Sequence, residues 1–264
     1  MGAKIVRFDF TGDATTAVTL AKLKAAGIAP DVIVAASLAP GGMSAAAFAA
    51  EATDVADLLK GFPLAFEEMM NEPDLHGWSP ATYTPYLQAG YLAAKAADPS
   101  VEVLNGGIWK YLFNGTSGAT SVDWVKGMYA AGAKGYFDAM NLHLYDDPAQ
   151  HGLWSAWDMA FGSNGAGFYD SSNVRSVMNA NGDSSVPIVT TEAGGPVQTY
   201  GTAGQATIVT NALGAADGVG TGYRKLAFTL IYNVRDDDVP GYGLLDPNNV
   251  PRPSWQAFKT AASK

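Results

Sequence analysis

Short apolar runs alternate along this chain with longer stretches in which apolar residues recur every three or four positions. The short runs fall at 3–10 (AKIVRFDF), 31–38 (DVIVAASL), 64–71 (LAFEEMMN), 101–106 (VEVLNG), 137–145 (FDAMNLHLY), 186–192 (VPIVTTE) and 225–234 (KLAFTLIYNV). Their β-branched and aromatic content and their flanking Gly, Pro and Asp residues predict strands. Between them, 15–26 carries Val18, Leu20 and Leu23 at helical spacing, and Gly27 supplies a stop. Residues 44–60 predict a second helix, capped by Ser44, with Phe48, Val55, Leu58 and Leu59 on one face. Further helices are predicted at 80–97, 122–131, 172–179, 205–216 and 253–262. Residues 146–169 carry Gly and Trp with little periodicity and predict no regular element.

A strand–helix alternation sustained over the whole chain predicts an α/β protein with a parallel sheet and helices outside it. Strands that are apolar throughout, rather than alternating, fit a sheet buried on both faces. The expectation is a TIM-type (β/α) barrel forming a single catalytic domain over 1–264, with about seven recognisable strands where a closed barrel of this type has eight. No internal repeat or linker suggests a second domain. The outermost strands, 3–10 and 225–234, would each leave an open edge, and open apolar edges invite self-association.

Composition narrows the partners. The net charge of −9, with no Lys/Arg cluster, argues against nucleic acid. No apolar run approaches the roughly 18 residues of a membrane span, so no membrane partner is expected. The N-terminus lacks the apolar core of a signal peptide, which leaves the compartment open, a secreted longer parent included. Cysteine is absent, which removes disulfides and thiolate metal sites. Gly41-Gly42 and Gly106-Gly107 are not followed by Gly-Lys-Ser/Thr, so neither is a phosphate loop. Asp236-Asp237-Asp238 is one run and supplies no converging ligands, which makes a charged loop the better reading. No metal or cofactor is expected.

Two carboxylates carry the candidate chemistry. Glu72 follows the strand at 64–71 within Asn71-Glu72-Pro73, and Glu192 ends the strand at 186–192. Carboxylates at strand C-termini of a parallel barrel meet across its mouth, where such barrels keep their active sites. Glycoside hydrolysis needs this pair in two states, one protonated to donate to the leaving oxygen and one ionised to attack the anomeric carbon. Glu72 lies between Met69-Met70 and Pro73, an apolar setting that suits the acid, and the hydroxyls of Thr190 and Thr191 would help keep Glu192 charged. A retaining mechanism would place the two carboxyl groups about 5–5.5 Å apart.

These segments, in this order, resemble a clan A glycoside hydrolase, most closely family 39 and the related family 5. AKIVRFDF is similar to the second strand of that family with its inward arginine, here Arg7. LAFEEMMNEPD is similar to the fourth strand, GYFDAMNLHLY to the sixth, PIVTTEAG to the seventh, and GLLDPNNVPRPSWQAF to the tail after the eighth. The resemblance implies Glu72 as acid/base, Glu192 as nucleophile, and Asn71 at the sugar 2-hydroxyl. It implies that Tyr145 hydrogen-bonds the nucleophile, His143 lines the sugar subsite, Arg7 orients Glu192, and a carbohydrate is the substrate. From the residues alone, His143 and Tyr145 read equally as an ordinary strand end, and Arg7 as a structural charge paired with Asp9.

The chain departs from the family at three points. Met70 stands where a Trp usually precedes Asn-Glu-Pro, Tyr232 and Asn233 stand where a sugar-stacking Trp usually ends the eighth strand, and the first strand–helix unit has no counterpart. Trp78, Trp109, Trp154 and Trp157 fall in predicted loops, where a tryptophan either stacks on sugar or caps the core. Two other readings follow from the departures: a carbohydrate-binding barrel without turnover, or a truncated barrel scaffold. Glu72 and Glu192 together argue against the first, because a binding module needs neither.

Overall fold

A computed structural model describes residues 2–109, 120–146, 149, 156–162, 173–216, 226–236 and 239–263. They form two compact units, one of residues 3–141 and 177–186, the other of 142–176 and 187–264 together with Gly2.

The first unit is a parallel sheet in the order β1 (Ile5–Asp9), β2 (Ala29–Val34), β3 (Phe66–Asn71), β4 (Glu102–Gly107). Helices α1 (Ala14–Ala26), α2 (Ala45–Leu59), α3 (Pro80–Ala97) and α4 (Ser121–Ala130) alternate with its strands. The stop at Gly27 is real: it adopts a left-handed conformation, φ 66°, that a side chain would disfavour. Ser44 caps α2 by accepting from the Ala47 amide. The buried face of α2 is Phe48, Ala52, Val55, Ala56 and Leu59. Leu58, expected on that face, is exposed, as is Val18 on α1. Leu58 stands one position from buried Leu59, and Val18 stands two positions from buried Thr16 and Leu20; each helical position turns the side chain by about 100°. β2 begins earlier than expected, and it ends earlier because Ala35, at φ 48°, turns the chain out of the strand. β5 (Met140–His143) joins β4 through the Leu104–Ala139 bridge and through the Asn105 side chain, which bonds the backbone of Asn141 in both directions.

The second unit holds the parallel pair β6 (Ile188–Ala193) and β7 (Leu226–Ile231), with β5 next to β6 in sheet order. Helices α5 (Ala156–Phe161), α7 (Val197–Ala216) and α8 (Pro253–Ala261) belong to it; α6 (Val174–Ala180) runs from this unit into the first. α5 lies where no element was predicted, and its residues Ala156–Ala160 are all buried, so no polar face marks it in the sequence. α7 starts eight residues before the predicted helix and is kinked at Gly201. Among the described residues, no helix is long and apolar enough to cross a membrane.

One residue of β3 works against the fold. Successive strand residues face opposite ways, so Glu67 and Glu68 part company. Glu67 is completely buried, and among the described residues neither of its oxygens has a hydrogen-bond partner. Burial pushes its carboxyl well above the ordinary value of 4.5, with the charge of Lys95 on α3 opposing the shift. A carboxyl that stays protonated in the fold but ionises in the unfolded chain costs stability as pH rises from that ordinary value to the raised one. Glu67→Met should therefore stabilise the protein by about 1–3 kcal/mol at pH 8, with the advantage growing from pH 4.5 upward. Urea unfolding of both proteins across that range measures it, and a pH-independent difference would show that Glu67 does not titrate as described.

Candidate active site

Each sequence-predicted carboxylate sits at the carboxyl end of its own strand, in its own unit. In the first unit β3 ends at Asn71, and Glu72 begins a tight turn in which its carbonyl accepts from the amides of Leu75 and His76. Met70 and Glu72 have φ of 71° and 44°, left-handed values for residues with full side chains. Such conformations cost on the order of 1–3 kcal/mol each and gather at functional sites. Gly106 on β4 makes room for them, since a Cβ there would come within 2.7 Å and 2.8 Å of the Met69 and Met70 carbonyls. Tyr83 of α3, fully buried, ties the same two strands by donating to the Met69 carbonyl and accepting from the Gly106 amide.

Arg7 has partners that neither reading of the sequence named. Its Nε and Nη2 donate to the two oxygens of Glu68 at 2.7 Å and 2.9 Å, and Nη2 also donates to Oδ1 of Asn71 at 2.7 Å. Glu68, wholly buried, takes a further bond from the Gly107 amide. Arg7 thus holds Asn71 by its carbonyl end, which leaves the NH₂ end to donate to a ligand. Glu68 was missed because its partner lies 61 residues away and an acidic pair in a strand does not say which member turns inward.

In the second unit Glu192 is buried on β6. The Tyr145 hydroxyl donates to its Oε2, and Nδ1 of His143 lies 3.6 Å from the same oxygen. The His143 side chain is enclosed, and its Nε2 meets the Thr191 hydroxyl at 3.1 Å. The ring therefore acts on Glu192 and Thr191; an enclosed ring offers no open subsite wall, in contrast to the lining role implied by the resemblance. The Thr190 hydroxyl donates to the backbone carbonyl of Glu192, so it fixes the strand end rather than the charge. Tyr145, Tyr232 and Tyr242 meet edge to face, with centroids 5.5–6.3 Å apart. Tyr232 follows β7 through a cis peptide to Asn233. Tyr242 carries no strand or motif signal and was not a candidate in the sequence.

The tryptophans divide. Trp78 is 6% exposed, donates from its indole to the Leu38 carbonyl, and meets Tyr86 edge to face, so it caps the core instead of offering a sugar platform. Trp157 is also core. Trp109 is half-buried, with its amide on Asp74. Trp154 lies outside the described residues, as do Asp237 and Asp238. Asp236 is held by Arg252 and by the Gly243 amide, both at 2.6 Å.

No family profile matches the sequence, and no curated protein matches it. The fold does have solved neighbours. A GH128 endo-β-1,3-glucanase from Sorangium cellulosum shares 16% identity with a TM-score of 0.60, covering 90% of this chain and 83% of that one. The GH39 enzyme from Xanthomonas axonopodis pv. citri shares 16% with a TM-score of 0.65, covering 98% of this chain and 60% of that one. An endo-β-1,4-glucanase from the same organism, a triple mutant, shares 14% with a TM-score of 0.68, covering 99% and 86%. This likeness shows a TIM-type (β/α) barrel fold, and it does not single out GH39 among the neighbours that share it.

Proposed function

We propose that this chain is a retaining glycoside hydrolase that cleaves a glycosidic bond by double displacement at Glu192 and Glu72. The observation that carries the reading is Glu192: a buried carboxylate at a strand end, with the Tyr145 hydroxyl and the His143 ring directed at one of its oxygens. A hydroxyl donor fixes the carboxylate's orientation and favours its ionised form, as a nucleophile requires. In the first step Glu72 gives its proton to the leaving oxygen while Glu192 attacks the anomeric carbon, and a glycosyl ester forms as the aglycone leaves. In the second, Glu72, now a carboxylate, takes a proton from water as that water attacks the anomeric carbon and Glu192 departs. The strained backbone at Glu72 supports its place at the reacting end, since such strain persists only where the surroundings enforce it. Asn71, held by Arg7, is placed to donate to a sugar hydroxyl. The substrate is a carbohydrate, and the glycosidases that share the fold favour this class over others.

Glu72→Ala tests the division of labour. On aryl glycosides with good leaving groups the first step needs no acid, so loss should concentrate in the second step. Added azide should then restore turnover by about tenfold or more and yield a glycosyl azide. Absence of both rescue and azide product removes Glu72 from the acid/base role.

A further inference from the structure

Asp146 directly follows Tyr145 and belongs to the same unit as Glu192. Its carboxylate is half-buried, and its backbone adopts a left-handed φ of 80°. Among the described residues its hydrogen-bond partner is the Tyr200 hydroxyl of α7, which donates to Oδ1 over a long 3.4 Å. A carboxylate offers about four acceptor positions, so one long bond leaves most of that capacity for something else. Tyr200 connects this carboxylate to the Glu192 strand end: its ring packs against Gly195, three residues beyond Glu192, where a Cβ would come within 2.9 Å of it. Burial raises the Tyr242 hydroxyl above the ordinary range, and the negative charges of Asp146 and Glu192 both add to the shift. The Tyr242 ring stacks edge to face on Tyr232 and on Tyr145, whose hydroxyl donates to Glu192. Its loop is rigidly placed: the Gln205 amide donates to the Gly241 and Tyr242 carbonyls, Ser254 holds the other end of Gln205, and Arg252 donates to the Gly243 carbonyl.

We propose that Asp146 is a specificity-determining residue for the sugar unit bound beside Glu192, accepting hydroxyl hydrogens from a neutral sugar and excluding a sugar that carries a carboxylate. This rests on the glycosidase reading above. Two oxygens of one carboxylate match two neighbouring hydroxyls of a pyranose, while the apolar edges of Tyr145, Tyr232 and Tyr242 suit its C–H faces. A uronic acid would set a third negative charge near Asp146 and Glu192 in a half-buried site, where like charges repel strongly. The chain's net charge of −9 adds a long-range term of the same sign.

The test uses the full chain and Asp146→Asn, which keeps an oxygen for Tyr200 and replaces the charge and one acceptor oxygen by an NH₂ group. Both are assayed on 4-nitrophenyl β-glucoside, β-mannoside, β-xyloside and β-glucuronide, with Glu192→Gln as the blank. The expected result is a KM on the best neutral glycoside raised about tenfold with kcat changed less than about threefold, as for loss of a charged hydrogen bond made in ground and transition state alike. The ratio of glucuronide to neutral kcat/KM should rise by about tenfold. An unmoved KM and ratio, or a kcat loss at constant KM, overturns the proposal. If wild type does not exceed the blank on any substrate, the catalytic reading fails separately, and Asp146 is judged by calorimetric titration with cellotetraose, laminaritetraose and mannotetraose. About tenfold weaker binding by Asp146→Asn then upholds it, and equal binding, or none by either protein, overturns it.

Discussion

Glu192→Gln should lower turnover by about 10⁴-fold or more while the protein stays folded. The amide has the shape of the carboxylate and its carbonyl can still accept from Tyr145, so the contacts around position 192 survive in kind. What is lost is the negative oxygen that the proposed mechanism bonds to the anomeric carbon, and neither His143 nor Thr190 replaces it. His143 is enclosed and the Thr190 hydroxyl is committed to the backbone. Turnover on aryl glycosides and circular dichroism measure the two halves of the expectation. A 2-fluoro sugar with a good leaving group should label wild type at Glu192 and leave the variant unlabelled. Activity within tenfold of wild type would show that Glu192 is not the nucleophile.

The second large effect is on stability and comes from Arg7. Arg7→Met leaves Glu68 wholly buried without its bidentate cation, keeping only the Gly107 amide of the partners named above. Removing one member of a buried ion pair costs about 3–5 kcal/mol, mostly for stranding the other charge. The double variant Arg7→Met/Glu68→Gln should recover much of that loss, because the stranded charge has gone. Denaturant unfolding of the three proteins measures both steps. A single-variant cost below about 1 kcal/mol would mean that Glu68 is not held as a buried anion. Asn71 should also loosen in the single variant, since Arg7 holds its carbonyl end.

The sequence was most readable where a rule acts locally. Ser44 and Gly27 marked helix ends because caps are short-range chemistry. The strand before Asn71-Glu72-Pro73 was readable because both faces are buried and the run is continuous. Features set by distant contacts were hidden. Glu67 and Glu68 are identical in the sequence, yet one meets an arginine 61 residues away and the other meets no hydrogen-bond partner among the described residues. α5 was hidden by its complete burial, which erases the polar face that periodicity needs. Trp78 was ambiguous because only the Leu38 carbonyl, 40 residues away, decides that its ring belongs to the core. Tyr242 was hidden for the same reason, as its loop is fixed by Gln205 of α7, 37 residues away.

The close approach at Gly106 bears on how this scaffold can be redesigned. A Cβ there would collide with two carbonyls of β3, which are backbone atoms and cannot swing aside like the end of a side chain. The geometry of the Asn-Glu turn is therefore written partly in the neighbouring strand. Grafting Asn71 and Glu72 onto another barrel would transfer the two side chains without their curvature unless the glycine travelled with them. Conversely, loops beyond Glu72 can be exchanged for new substrates while residues 69–72 and 106 are treated as one inherited unit.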